Sequence, residues 1–235
     1  MKKLNCSLLA TVLTTGLLLV GAKTQAQIVI TEVDPNGSSA SYAADWFELE
    51  NIGSSTIDLT GWEMDDNSDS FSKAVALTGV TSIAAGQTVV FIENTDPNGS
   101  GGALLSPTAT AALDANFANV WFGSNIPAGL TLANYGGSGV GLSANGDAVN
   151  IFDSTGNAIT GVTFGVTTLG TTLDNTAGLS GAISQSSVVG VNGAFSDGSE
   201  VGSPGNVSPV PEPTTFALAG LGIAGLFAFR RNRKN

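Results

Sequence analysis

Short apolar runs separated by Gly-, Asn- and Asp-rich turns organise most of this 235-residue chain. Ile28-Val29-Ile30-Thr31-Glu32-Val33 and Trp46-Phe47-Glu48-Leu49-Glu50 carry the β-branched and aromatic residues of strands. The second run alternates strictly, so it buries either Trp46 or Phe47 on one face. Ile57 to Met64, Gln87 to Ile92, Ala148 to Phe152 and Ala158 to Phe164 continue the series. Alternation assigns Leu49, Leu59, Val90, Ile92, Val149 and Ile151 to a sandwich interior, with Trp62 plugging one end. By the same logic Glu48, Glu50, Glu63 and Glu93 fall on the solvent face of a sheet.

Turn chemistry divides the runs at Asn51-Ile52-Gly53, Ala85-Gly86, Asn145-Gly146-Asp147 and Ser154-Thr155-Gly156-Asn157. The last of these predicts a hairpin. Asp-Pro-Asn-Gly-Ser occurs at 34–38 and again at 96–100, each time after a strand, and reads as a repeated turn rather than a tandem repeat. Only Thr108 to Phe122, opened by Pro107, has the Ala-rich pattern of a helix. Val166 to Ser199, rich in Gly, Thr and Ser, is expected to add edge strands or loops. Many short strands with one inserted helix predict an all-β sandwich or barrel.

The two ends have other patterns. Lys2 and Lys3, the apolar stretch Leu8 to Val20, and small residues Thr24 and Ala26 before Gln27 have the layout of a signal peptide over 1–26, cleaved between Ala26 and Gln27. Cys6 precedes the apolar stretch, whereas a lipoprotein cysteine would come after it. At the other end, Thr214 to Phe229 is uncharged and is succeeded by Arg230, Arg231, Arg233 and Lys234. Sixteen helical residues cover ~24 Å, marginal for a ~30 Å hydrocarbon core, and the basic cluster anchors the cytoplasmic side.

Charge sharpens the picture of the region between the ends. Lys73 is the one base between Gln27 and Pro209, set against eighteen acids, a net charge of −17. That excludes nucleic acid and any anionic membrane surface as partners, leaving membrane contact to the C-terminal helix. The same span has no His and no Cys, which removes imidazole bases, thiol nucleophiles, disulfides and nearly every zinc site. With one Lys and no Arg, no charged clamp for a phosphate or oxyanion is available either. The expectation is no catalytic residue and no cofactor.

Two acidic readings stay open. Asp65-Asp66-Asn67-Ser68-Asp69-Ser70 offers Asp65, Asn67 and Asp69 at the first oxygen positions of a calcium loop. It departs from an EF-hand at Ser70, where a Gly belongs, and at Ala76, where a bidentate Glu belongs. A looser surface calcium site and a solvated inter-strand loop are the alternatives. A glycosidase would need two carboxylates facing across a cleft, for which Glu48, Glu50, Glu63 and Glu93 are the candidates.

Two family resemblances cover most of the chain. Val210-Pro211-Glu212-Pro213, the Gly-rich apolar segment and the basic end resemble a PEP-CTERM sorting signal. That resemblance implies recognition of Pro211, Glu212 and Pro213 by an exosortase after export, in a Gram-negative organism that makes an extracellular polysaccharide matrix. Ile28–Val33, Asp45–Asn51, Asp58-Leu59-Thr60-Gly61-Trp62, Ile83–Gln87, Gly146–Ile151, Asp153–Ala158 and Gly202–Asn206 resemble, in this order, a lamin-tail domain. An insertion from about 94 to 139 interrupts the match, and Ala85 replaces a usual Pro.

The resemblance implies an immunoglobulin-like β-sandwich over 27–206, a linker at 207–210 and a sorting tail at 211–235. The function expected is a non-catalytic surface or extracellular-matrix protein, adhesive or structural. It would meet the export machinery, the exosortase, and extracellular polysaccharide or other surface proteins. It would pass through the inner membrane before reaching the outer surface or matrix. The alternative is a divalent-metal-dependent secreted hydrolase acting on matrix polysaccharide.

Overall fold

The computed structural model describes residues 28–175 and 181–206. In chain order the first strands are β1 (Ile28–Asp34), β2 (Trp46–Asn51), β3 (Ile57–Asp58), β4 (Glu63–Asp65), β5 (Val75–Ala76), β6 (Ser82–Ile83) and β7 (Thr88–Glu93). Helix α1 (Pro107–Phe122) comes next, then β8 (Leu132–Tyr135), β9 (Asp147–Phe152) and β10 (Ala158–Phe164). Short pieces close the described chain: β11 (Leu173–Asp174), β12 (Ala182–Ile183), β13 (Phe195–Ser196) and β14 (Val201–Gly202). Two five-stranded sheets carry the fold, ordered β11-β1-β2-β7-β8 and β12-β10-β9-β4-β5.

The inner faces of the two sheets share one apolar core. Ile28, Ile30, Phe47, Leu49, Val89 and Phe91 from the first sheet meet Met64, Val149, Ile151, Val162, Phe164 and Ile183 from the second. Leu59 and Trp62 join that core, and Phe47 stacks on Phe91 with ring centroids 5.3 Å apart. This is the mostly-β arrangement with one helix expected of an immunoglobulin-like sandwich. The hairpin expected at 154–157 joins β9 to β10, closed by Asp153 N–H donating to the Asn157 carbonyl at 3.0 Å. Its Asp153 carboxylate accepts from Thr155 and Asn157 and so sets the turn.

Two expectations are corrected by the tertiary arrangement. The run Ile57 to Met64 is two strands rather than one. Gly61 sits at φ 74° in a turn where Trp62 N–H donates to the Leu59 carbonyl, so β3 pairs with β6 while β4 enters the second sheet. Val90 and Ile92 do not face the sandwich interior; Val89 and Phe91 do. The reason lies in the 94–139 insertion, which sequence pattern does not place. Its β8 extends the first sheet by pairing parallel to β7, and its helix packs on the outer face of that sheet. Both parities of β7 are therefore buried, and alternation carries no information about which one is inside.

Helix α1 is locally well specified. Ser106 caps it by accepting from Ala109 N–H at 3.3 Å, Pro107 occupies its first turn, and Gly123 at φ 58° ends it. It contributes Phe117 and Trp121 to a second apolar cluster with Tyr42, Trp46, Val90 and Ile92. Ring centroids in this cluster lie 5.0 Å (Tyr42–Phe117), 5.7 Å (Trp46–Phe117) and 6.1 Å (Trp46–Trp121) apart. Among the described residues no helix is long and apolar enough to cross a membrane. The expected leader (1–26), linker (207–210) and span (214–229) lie outside the described residues.

Phe117 anchors the helix through Tyr42 and Trp46 and is fully buried. Phe117→Ala is expected to cost about 3–5 kcal/mol in chemical denaturation. A loss below about 1 kcal/mol would mean that the helix is not integral to the domain.

Candidate functional site

The outer face of the first sheet holds an unusual concentration of acids. A bulge in β1 between Ile30 and Glu32 turns Glu32 outward, opposite Glu48 on β2 and Asp174 on β11. The bulge is pinned by Asn175, whose backbone N–H donates to the Thr31 carbonyl and whose side chain donates to the Ile30 carbonyl. Glu32, Asp34, Asp45, Glu48, Glu50, Asp174 and Glu200 are all buried. The solvent-face expectation for Glu48 and Glu50 is thereby corrected; Glu63 and Glu93 are half-buried.

The last described stretch of chain reaches Glu32 and Glu48 and contributes Glu200 to the cluster. Its composition, Ser-Asp-Gly-Ser-Glu-Val-Gly-Ser-Pro-Gly-Asn over 196–206, is small enough for backbone to reach carboxyl oxygens. Ser203 donates its N–H (2.8 Å) and its hydroxyl (3.0 Å) to Glu32, and Gly205 N–H donates to Glu48 at 2.6 Å. Thr172 also donates to Glu32, and Thr31 donates to Glu48 at 2.7 Å. Gly202 must be glycine-sized: a β-carbon there would lie 2.8 Å from Glu32 Oε1 and 2.9 Å from Trp121.

At the helix end of this face Tyr42 links acids to aromatics. Its oxygen lies 3.1 Å from Asp34 Oδ2 and 2.7 Å from Glu200 Oε2, while Trp46 Nε1 donates to it at 3.1 Å. Among the described residues no base stands near. Lys73 is exposed in the loop between β4 and β5, which belong to the other sheet.

Burial without a counter-charge dominates the titration of this cluster. It pushes Glu32, Glu50 and Glu200 up to about 7 and Asp45 up to about 6. Glu48 is raised well above the usual range, by burial first and by Glu32 beside it second. Asp34 is also raised by burial.

The other sequence candidates are placed differently. Asp65 is buried at the end of β4, where one oxygen accepts from Ser68 Oγ and Ser70 N–H, both at 2.7 Å. Its second oxygen is buried without a hydrogen-bond partner among the described residues. Asn67 and Asp69 are exposed, and Asn67 N–H donates to Asp147 at 3.1 Å. Among the described residues no group of three or more His, Cys, Asp or Glu side chains is arranged to hold a metal ion. Ala26, Gln27, Pro211, Glu212, Pro213, Arg230, Arg231, Arg233 and Lys234 lie outside the described residues. Sequence reasoning misses the outer-face cluster because alternation makes an isolated Glu look solvated. The available signal is that β2 and β7 carry large apolar residues at both parities, Trp46 beside Phe47 and Val89-Val90-Phe91-Ile92.

The raised carboxyls set the sign of the pH dependence. The folded chain keeps protons at Glu32, Glu50 and Glu200 that an unfolded chain, titrating near 4.5, gives up first. Their contribution to stability is full below pH ~4.5 and is lost as pH rises through about 7. Asp153, held low by Asn157, acts in the opposite sense but only in stronger acid. The thermal midpoint is therefore expected to be higher at pH 5 than at pH 8 at fixed ionic strength. A midpoint that climbs over this interval would show the cluster ionised in the folded state.

Comparison with known proteins bears on both halves of the chain. The PEP-CTERM protein-sorting motif matches residues 209–234, over the Pro-Glu-Pro and the basic end. No curated protein matches the chain. The lamin tail domain model matches residues 22–165, from β1 through the β9–β10 hairpin. With well over half its length under that model, the chain belongs to the lamin tail domain family.

Proposed function

We propose that this is an exported, non-catalytic surface or matrix protein whose lamin tail domain serves an adhesive or structural role and whose tail is recognised by an exosortase. The observation that carries this reading is the sorting motif at 209–234 joined to a domain without catalytic equipment. Residues 27–209 hold one base, no His and no Cys. The adjacent carboxyl pair Glu32 and Glu48 is sealed beneath Ser203 and Gly205 and offers no cleft to a polymer. The acidic, hydroxyl-rich surface suits hydrated glycan or other surface proteins as partners.

The sorting half is tested by localisation. Replacing Pro211, Glu212 and Pro213 with Ala, or deleting the host's exosortase, is expected to leave the protein with its tail in the inner membrane. Unchanged localisation and an unchanged mass would replace sorting with plain anchoring.

The non-catalytic half includes metal independence. Asp65 and Asp66 each use one carboxyl oxygen to close the turn of the 65–70 loop, which supports a structural role for it. Melting curves with millimolar calcium and with chelator are expected to coincide, and a panel of matrix polysaccharides to yield no new reducing ends. A calcium-dependent rise in midpoint, or turnover on any polymer, would favour the hydrolase alternative.

A further inference from the structure

Tyr42 has one hydroxyl hydrogen, yet its oxygen contacts carboxyl oxygens of both Asp34 and Glu200 while accepting from Trp46. The hydroxyl can donate to only one of them. The other contact is attractive only when that carboxyl carries a proton and donates it to the tyrosine oxygen. Asp34 belongs to β1, and Glu200 belongs to the covering segment. A proton thus holds the covering segment to the sheet at this point.

A second pair, farther along the covering segment, resists ionisation by burial and mutual repulsion rather than by a bridging proton. Glu32 and Glu48 are direct cross-strand partners, a placement that repels when both are charged. Their oxygens are the acceptors for Ser203 and Gly205, the residues that fasten the exit of the chain. Asp174 faces Glu32 from β11, Glu50 lies beside Glu48, Asp45 lies near Asp34, and Asp197 lies near Glu200. From the helix comes Trp121, which is uncharged. Among the described residues, every titratable group facing the two pairs is an acid or Tyr42.

We propose that residues 197–206 form a proton-latched strap, closed over the first sheet while Asp34 and Glu200 hold a proton between them at Tyr42 and Glu32 and Glu48 are not both charged, and released when those protons leave. Burial sets the working range near neutrality, with Glu32 and Glu200 at about 7. Asn206, which donates to the Gly193 carbonyl at 3.1 Å, would leave with the strap. The stretch from Glu200 to Asn206, at ~3.3–3.6 Å per residue, adds about 25 Å of reach to the chain beyond Asn206. That consequence rests on reading 209–234 as the sorting tail; the latch itself does not.

The test is hydrogen exchange on the full-length protein in detergent, corrected for intrinsic rates, at pH 5 and pH 8. Protection over 200–206 is expected to fall about tenfold or more while β10 keeps its protection. In the double variant Glu48→Gln with Glu200→Gln, each amide supplies the donor and acceptor of a protonated glutamate. Protection over 200–206 should then persist at pH 8. If the double variant does not fold, Asp34→Asn alone reads the latch at Tyr42 and is expected to retain part of that protection. Wild-type protection that is constant, or that falls together with β10, overturns the proposal, as does a Gln variant as pH-sensitive as wild type. Processing by exosortase-bearing membranes is measured separately: a working latch on a tail that is never cut would sink the sorting reading and leave the latch standing.

Discussion

Carboxyl groups buried without a counter-cation impose the constraint on which the outer half of this domain depends. Water cannot reach Glu32 or Glu48, and Lys73, the one base of residues 27–209, sits on the other sheet's side. Their oxygens must therefore be satisfied by hydroxyls and backbone amides, and their charge must be suppressed by protons. The β1 bulge, Thr31, Thr172, Ser203 and the glycine-sized position 202 all answer that requirement. A segment of larger side chains could not bring its amides within 2.6–2.8 Å of the glutamates.

The two faces of the first sheet consequently do different work. The inner face meets the second sheet in an apolar core whose stability is indifferent to pH. The outer face is divided between an aromatic half under α1 and an acidic half under the strap, with Tyr42 and Trp46 at the seam. Because the strap is the chain's exit toward the sorting motif, a proton-sensitive surface sits directly before the segment that addresses the protein.

Much of the framework is legible in the residues. The strands at 28–33, 46–50 and 148–164, the hairpin at 154–157 and the helix from Pro107 to Phe122 are local matters of period, capping and turn chemistry. The edge strands β11 and β12 within the Gly- and Thr-rich region also agree with what composition suggests. The parity of β7 and the fate of Glu48 and Glu50 are not legible. A period of two identifies two faces but cannot say which of them a distant helix or strap will cover. The acidic loop at 65–70 is visible as a cluster, yet only the folded chain shows Asp65 turned inward while Asn67 and Asp69 face outward.

The sequence by itself determined the all-β class, the family and the sorting motif, because strand periodicity and short motifs are written in neighbouring residues. It also determined the charge deficit that removes most catalytic chemistry, since a missing residue type is missing in any fold. Tertiary structure alone decided which acids are buried and which oxygens the strap meets. Glu32 and Ser203 are 171 positions apart, and Glu48 and Gly205 are 157 apart. Burial and proton affinity belong to whatever packs against a side chain, and here the packing partner comes from the far end of the domain.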